Sequence, residues 1–374
     1  MTTLSSAARV ATAGPPAAVP PAPVPRWVAR GLFVALVVVW SVRIGVPADR
    51  VSMFFWLWLA AVMWRFGVPL RSHLDFARDW WPAFAILVFW TYSRGLADNL
   101  GAPIRISMPI EADRWLGFGE LPTQRLQAAL CAPTCGDPSA GAWFDTIFTA
   151  TYLTHFVTGM TIALVLWLRS RHQWAAWLRR YIAINLVGLA ICVVYPMQPP
   201  WMASVGGHLT PGVDRLTGRG GSVLGVHVSQ MVMGPIGNQV AAMPSLHAGT
   251  ACLVALFAVS RLSSPWRWAT LAYPLMMGFT LVYYGEHYVI DVLAGYLLAA
   301  IVHLTLSRRE RRSRSDQSGR PDHASATAAY VAPKLPVVGH DDDHAPGRLS
   351  IDELAEHVVG DHPGRAEQHL DPAR

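Results

Sequence analysis

YYGEHYVIDVLAGYLLAAIVHLTL, residues 283–306, contains a run from Tyr288 to Leu306 whose apolar side chains are interrupted only by Asp291, His303 and Thr305. A helix needs about 20 apolar residues to cross the hydrocarbon of a bilayer, so this run is read as a membrane-spanning helix with polar residues at its mouth. Working outward, seven further apolar runs lie at about 27–46, 51–68, 80–97, 144–168, 177–195, 245–261 and 266–284. The whole chain of 374 residues is 52% hydrophobic and 14% charged. Charged residues make up about 25% of an average soluble domain, so an ordinary cytosolic globule, a collagen and a fully disordered chain are excluded. The expected fold is an all-α integral membrane protein, a polytopic bundle of about eight transmembrane helices.

Charge sets the expected orientation. Net charge is +6, and Arg supplies nearly all of the positive side because Lys334 is the only Lys. Arg26, Arg30, Arg65, Arg71, Arg78, Arg169, Arg171, Arg179, Arg180, Arg261 and Arg267 flank the runs on one side, with Arg308, Arg309, Arg311, Arg312 and Arg314 beyond the last. Cytoplasmic connections carry the Arg excess, which puts both termini in the cytoplasm and two long connections, about 98–143 and 196–244, outside. Plasma (inner) membrane is the expected location. These Arg sit beside apolar runs and form no aromatic-interleaved patch, so nucleic acid is not an expected partner. Residues 1–25 are rich in Ala and Pro and read as a disordered leader. Residues 26–79 hold two N-terminal helices, the first a retained anchor because no small-residue cleavage site follows it. Residues 307–374, with 10 basic and 12 acidic residues, read as a disordered cytoplasmic tail. His340-Asp-Asp-Asp-His344 within it reads as solvated low-complexity sequence rather than a metal site.

The first outward connection contains RISMPIEADRWLGFGELPTQRLQ, which mixes Trp, Phe and Leu with charges and reads as an interfacial amphipathic segment. Cys131 and Cys135 follow it; in an oxidising exterior they form either a disulfide or two free thiols, and spacing does not decide between these. Asp145 and His155 lie in the fourth run. Asp145 is expected near the outer interface, solvated by water. His155, as an intramembrane ionisable group, is expected to face the bundle interior, either in a structural hydrogen bond or lining a headgroup pocket.

Two clusters carry chemistry. Ala241-Ala-Met-Pro-Ser-Leu-His247 opens the sixth run. Pro244 and Ser245 suit the first turn of a helix, whose free amides and positive end seat a phosphate, with the Ser245 hydroxyl as an added donor. In Tyr283-Tyr-Gly-Glu-His-Tyr-Val-Ile-Asp291, His287 and Asp291 are four residues apart and share a helix face. A carboxylate there fixes the imidazole tautomer and frees the other nitrogen to attack, although such a pair alone is commonly structural. Parity of the spans places His247 and His287 at the same outer face. Ser/His/Asp acyl transfer lacks a G-x-S-x-G elbow.

AAMPSLHAG followed by GEHYVIDVLAG resembles the type 2 phosphatidic acid phosphatase superfamily, closest to its inositol phosphorylceramide synthase (inositolphosphotransferase) branch. Tyr195-Pro-Met-Gln-Pro-Pro-Trp201 resembles the proline-rich element preceding these motifs in that branch. The resemblance covers roughly residues 80–306 and implies a membrane catalytic domain of six helices. It further implies that His287 attacks phosphorus, Asp291 orients His287, and His247 protonates the leaving alkoxide, with no metal or other cofactor. The substrates it implies are a lipid phosphate and an alcohol acceptor. The phosphatase branch carries Lys or Arg in its first motif and a Ser-Arg pair ahead of the nucleophile; here Trp201, Thr280 and Leu281 stand at those places. That departure favours a lipid phosphotransferase over a lipid phosphate or polyprenyl (pyro)phosphate phosphatase using the same site. Arg215 is the expected phosphate-binding cation, alongside Ser245; Arg219 shares its loop. His208 and His227 are read as surface residues, and Asn238 as a residue orienting the loop ahead of the PSLH motif. A transporter using His and Asp as a proton relay is the competing class, but no inverted repeat is visible and the cluster lies near the interface rather than the midplane.

Overall fold

The computed structural model describes residues 25–44, 50–69, 71–97, 102–221 and 240–318. The chain divides into two units, Met1–Ser315 and Asp316–Arg374, and only 316–318 of the second are described. Among the described residues there is no β-strand, only two isolated bridges. The helices are α1 (Arg26–Arg43), α2 (Arg50–Trp64), α3 (Arg71–Ala97), α4 (Ser107–Leu116), α5 (Pro122–Leu130), α6 (Trp143–Arg169), α7 (Arg171–Val194), α8 (Pro200–Val205), α9 (Leu246–Arg261), α10 (Ala272–Tyr283) and α11 (Val289–Ser318).

Where described, each apolar run is largely helical, but among the described residues three helices are both long and apolar enough to cross a membrane: Trp143–Arg169, Arg171–Val194 and Val289–Ser313. Ser52–Trp64 and Leu246–Arg261 are shorter apolar helices. The seventh run opens as a 3-10 turn over Pro265–Leu271 before α10 begins, because Pro265 occupies the start of the turn and Ser264 caps it. α11 continues past Leu306 through Ser318; residues 307–318 contain no Pro or Gly, and Glu310 gives this stretch a partner on the bundle. Its sides show why it suits lipid. Leu298, Ala299 and Val302 are buried in the core, whereas Leu293, Leu297, Ile301 and Leu304 form an exposed apolar stripe. A water-facing helix would carry polar residues on that second face.

The main core joins α3, α6, α7, α9 and α11 through Trp80, Met160, Trp177, Ile184, Phe257 and Ala299. Where α9 meets α11, glycines permit close backbone approach, as small residues do between membrane helices. A Cβ on Gly295 would lie 2.3 Å from the Ser245 carbonyl oxygen and 3.1 Å from the Gly249 nitrogen. At one end of the bundle Glu310 gathers Arg180 (2.7 Å), Arg179 (3.1 Å) and Arg261 (3.1 Å) from α7 and α9. Arg180 is fully buried and also donates to the Ala176 carbonyl and the Ser307 hydroxyl.

The connection between α3 and α6 is tied down at the other end. Cys131 and Cys135 are disulfide-bonded, which decides the alternative left open by spacing. Beside them Asp145 is buried rather than solvated, contrary to the sequence expectation. It pairs with Arg219 at 3.1 Å and accepts from the Ala142 amide (2.8 Å) and the Tyr283 hydroxyl (3.0 Å). The rest of the Arg219 guanidinium donates to the carbonyls of Thr134, Cys135, Asp137 and Ala140. Periodicity placed Asp145 at a helix start, but only the folded loop supplies the cation that lets it be buried.

Two substitutions test this packing. Gly295→Ala should force α9 and α11 apart and cost about 1–3 kcal/mol, read as a lowered thermal midpoint in detergent. Gly31→Ala, with nothing within 4 Å of the added Cβ, is the neutral control. Arg219→Met leaves Asp145 buried without its cation and should cost about 3–5 kcal/mol, seen as loss of folded protein on size exclusion.

Candidate active site

Ser245 is the N-cap of α9, its side chain accepting from the Ala248 amide at 3.3 Å. The helix therefore starts at Leu246, and Pro244 lies ahead of the cap rather than in the first turn, with a cis Met243–Pro244 bond. Ser245 is fully buried, and its amide donates to the Asp291 carbonyl at 3.0 Å. The two motifs, 46 residues apart along the chain, are thus joined by a backbone hydrogen bond.

His287 sits between α10 and α11. Gly285 turns the chain there with φ +69°, and a Cβ at that position would come within 2.9 Å of the Asp214 carbonyl. Positive φ and close approach together call for glycine. The Gly285 carbonyl accepts from the Trp201 amide at 3.1 Å, so the proline-rich element is docked directly on the His287 turn. The same element is held laterally: Met197 bridges Arg105 on one side and Ala241 on the other. In this way the three quoted stretches of sequence converge on one place.

His287 Nδ1 lies 3.5 Å from Asp291 Oδ2, at the long limit of a hydrogen bond, and both side chains are buried. Asp291 Oδ2 also accepts from the Tyr288 amide at 2.9 Å, which fixes the carboxylate at the helix start. The rings of His247 and His287 are 5.7 Å apart between centroids, inclined at 60°. With Nδ1 turned to Asp291, Nε2 of His287 is the nitrogen left for chemistry. The structure thus brings His247, His287, Asp291 and Ser245 together.

α6 adds two rings. Tyr152 stacks on His247 at 5.2 Å and 19°, and His155 lies 4.0 Å from it. His155 therefore packs against His247 on the interior side of α6. Tyr152 had no signal in sequence beyond standing three residues before His155 on an apolar helix.

Arg215 lies beside the site but is engaged. Its Nε is 2.7 Å and its Nη2 3.4 Å from the Glu286 carboxylate, and its guanidinium stands 4.4 Å over the Trp201 ring. Glu286 also accepts from the Thr217 hydroxyl. Glu286 is adjacent to His287 in the motif itself, and only the fold shows that it offsets Arg215. Arg219 is consumed by Asp145 and the disulfide loop. His208 is exposed. His227, Asn238 and the His340–His344 stretch lie outside the described residues.

Residues 138–305 match the family model described as PAP2 superfamily. Among curated proteins, the chain is 33% identical over 129 residues to a phosphoinositol dihydroceramide synthase of Bacteroides thetaiotaomicron, covering 32% of this chain and 41% of that protein. It is 32% identical over 137 residues to the inositol phosphorylceramide synthase catalytic subunit aur1 of Schizosaccharomyces pombe, covering 33% and 31%. An inositol phosphorylceramide synthase of Candida albicans is 26% identical over 131 residues, covering 32% and 26%. The match thus spans less than half the length of each of these relatives. No solved structure matches. The stretch that matches the PAP2 superfamily model, residues 138–305, holds Ser245, His247, His287 and Asp291, the residues that the fold brings into one cluster.

Proposed function

We propose that this chain is a membrane-embedded lipid phosphotransferase, moving a phosphoryl-headgroup from a phospholipid donor to an alcohol acceptor through a phosphohistidine. The observation that carries the reading is the pair of imidazoles, 5.7 Å apart, with Asp291 behind one of them. In the first step Nε2 of His287 bonds to phosphorus as the bond to the glycerol oxygen breaks, and His247 delivers a proton to that oxygen. Asp291 stabilises the positive charge that develops on His287. In the second step His247, now neutral, takes the proton of the acceptor hydroxyl; the new P–O bond forms and the P–N bond breaks. The names of the relatives point to a phosphoinositol headgroup and a ceramide-type alcohol as the substrates to try first.

The membrane arrangement belongs to the same reading. Eight crossings, with both termini in the cytoplasm of a plasma (inner) membrane, put the His pair at the outer face. Supporting this, the Arg180–Glu310–Arg261 cluster lies at the C-terminal end of α9, whereas Ser245 and the first turn of α11 meet at its N-terminal end. The Arg excess then faces the cytoplasm.

Purified protein in vesicles, given a headgroup-labelled phospholipid with and without an alcohol, should form a new phosphodiester only when the alcohol is present. Release of the free headgroup phosphate or inorganic phosphate regardless of acceptor would favour hydrolysis instead. His287→Ala should abolish turnover, and His247→Ala should lower it about 100- to 10,000-fold; retained turnover in His287→Ala removes the nucleophile. Because attack requires neutral His287 and leaving-group protonation requires cationic His247, kcat/KM should be bell-shaped in pH. A flat profile would count against this division of roles.

A further inference from the structure

Asp113 is a carboxylate with no place in the chemistry above, yet it is fully buried. It comes from α4, in the outward connection, on a helix that otherwise exposes Trp115. Burying a carboxylate is unfavourable unless donors replace its water. The two donors here are backbone amides of the helix bearing Asp291: Val289 N–H to Oδ2 at 2.8 Å and Ile290 N–H to Oδ1 at 2.9 Å.

Those amides are among the first-turn groups that a helix cannot pair internally. The preceding one, on Tyr288, goes to Asp291 Oδ2. Three successive amides at the start of α11 are therefore held by two carboxylates, one inside the motif and one 176 residues away in sequence. Asp291 Oδ2 is the same oxygen that faces His287 Nδ1. Any change in the pitch or direction of this first turn moves the oxygen that orients the nucleophile.

We propose that Asp113 is a positioning residue of the site: gripping the Val289 and Ile290 amides, it fixes the first turn of α11 and thereby the placement of Asp291 against His287. It contacts neither imidazole and acts only through that turn. Two features support a positional role over a purely stabilising one. Burial pushes its carboxyl up to about 6, opposed by the Ile290 and Val289 amides and reinforced by the charge of Asp291. The charged or titratable groups that act on it from this turn, Asp291 and the Tyr288 phenol, are both acids. Since the folded form holds the proton more tightly than the unfolded chain, this group's contribution to stability is greatest below about pH 4. That contribution is lost as pH rises to about 6. At neutral pH the fold thus keeps a charged carboxylate at a cost in stability, on the two amides nearest the motif.

The inference rests on the phosphotransferase reading for its kinetic part only. Asp113→Asn in the full chain keeps the size of the side chain, but its amide nitrogen faces one of the two N–H groups. Hydrogen exchange of the peptide over 286–295 should quicken while the rest of the chain exchanges as before. kcat should fall about 10- to 100-fold with KM within about threefold. Its thermal midpoint should also lose the fall that the wild type shows between about pH 4 and pH 6. An unchanged kcat would overturn the proposal, as would a kcat loss matched by faster exchange everywhere. Should Asp113→Asn fail to fold, Val289→Pro removes one donor at the first helical position, where proline is tolerated. It should lower kcat with KM unchanged, and an unaltered kcat there overturns the proposal equally. If the wild type turns over no phospholipid, the enzyme reading fails separately, and the exchange measurement still decides whether Asp113 holds the turn.

Discussion

The backbone contact between Ser245 and the first turn of α11 is the constraint on which the rest of the site depends. The amide of Ser245 donates to the Asp291 carbonyl, and the Ser245 carbonyl lies where a Cβ on Gly295 would be. One residue is thus sandwiched against the helix carrying Asp291 by both of its peptide groups. Because Ser245 also caps α9, the direction of that helix, and with it the place of His247 two residues on, follows from the same contact. Side chains of ordinary length then suffice to bring the two imidazoles together. A looser crossing, with a larger residue at 295, would leave the same motifs on the same helices without a common target.

Much of this was legible in sequence because it is periodic or local. Apolar runs near 20 residues give the helices, and four-residue spacing puts His287 and Asp291 on one face. A Pro-Ser pair announces a helix start, although which residue is the cap depends on backbone angles that spacing does not specify. What escaped are partners distant in sequence. Asp145 reads as a wet interfacial carboxylate until Arg219, from another loop, is folded against it. Arg215 reads as a free cation until Glu286 is seen to hold it. Asp113 sits in a segment whose mixture of Trp, Phe and charge signals an interface and hides the one carboxylate turned inward. In each case the sequence shows a charge but not the group that neutralises or hydrates it, and in a membrane protein that second fact decides whether the charge is solvent-facing, structural or chemical.

The distribution of ion pairs separates rigidity from chemistry. Glu310 with three arginines locks α7, α9 and α11 at one end, and Arg219 with Asp145 locks the disulfide loop onto α6. Both use their hydrogen-bonding capacity on the fold itself. Buried pairs of this kind contribute little net stability relative to an apolar core, but removing one partner is strongly destabilising. They hold the helices in one arrangement at both ends, which a site assembled from four separate segments requires.

The charge left at the site bears on which phosphate ester the proposed chemistry suits. A phosphomonoester carries close to two negative charges at neutral pH, whereas a phosphodiester carries one. Arg215, the nearest loop cation that sequence offered, is offset by Glu286, and the charge of His287, when it forms, is offset by Asp291. Among the described residues, the start of α9, capped by Ser245, and the His247 ring lie at the same cluster as His287. A monoanionic diester asks less compensation of such a site than a dianion, whose transfer would depend more heavily on electrostatic stabilisation by the protein. The Arg215–Glu286 pair, resting on Trp201 and adjacent in sequence to His287, is thus consistent with the proposed headgroup transfer, in which the site meets one negative charge rather than two.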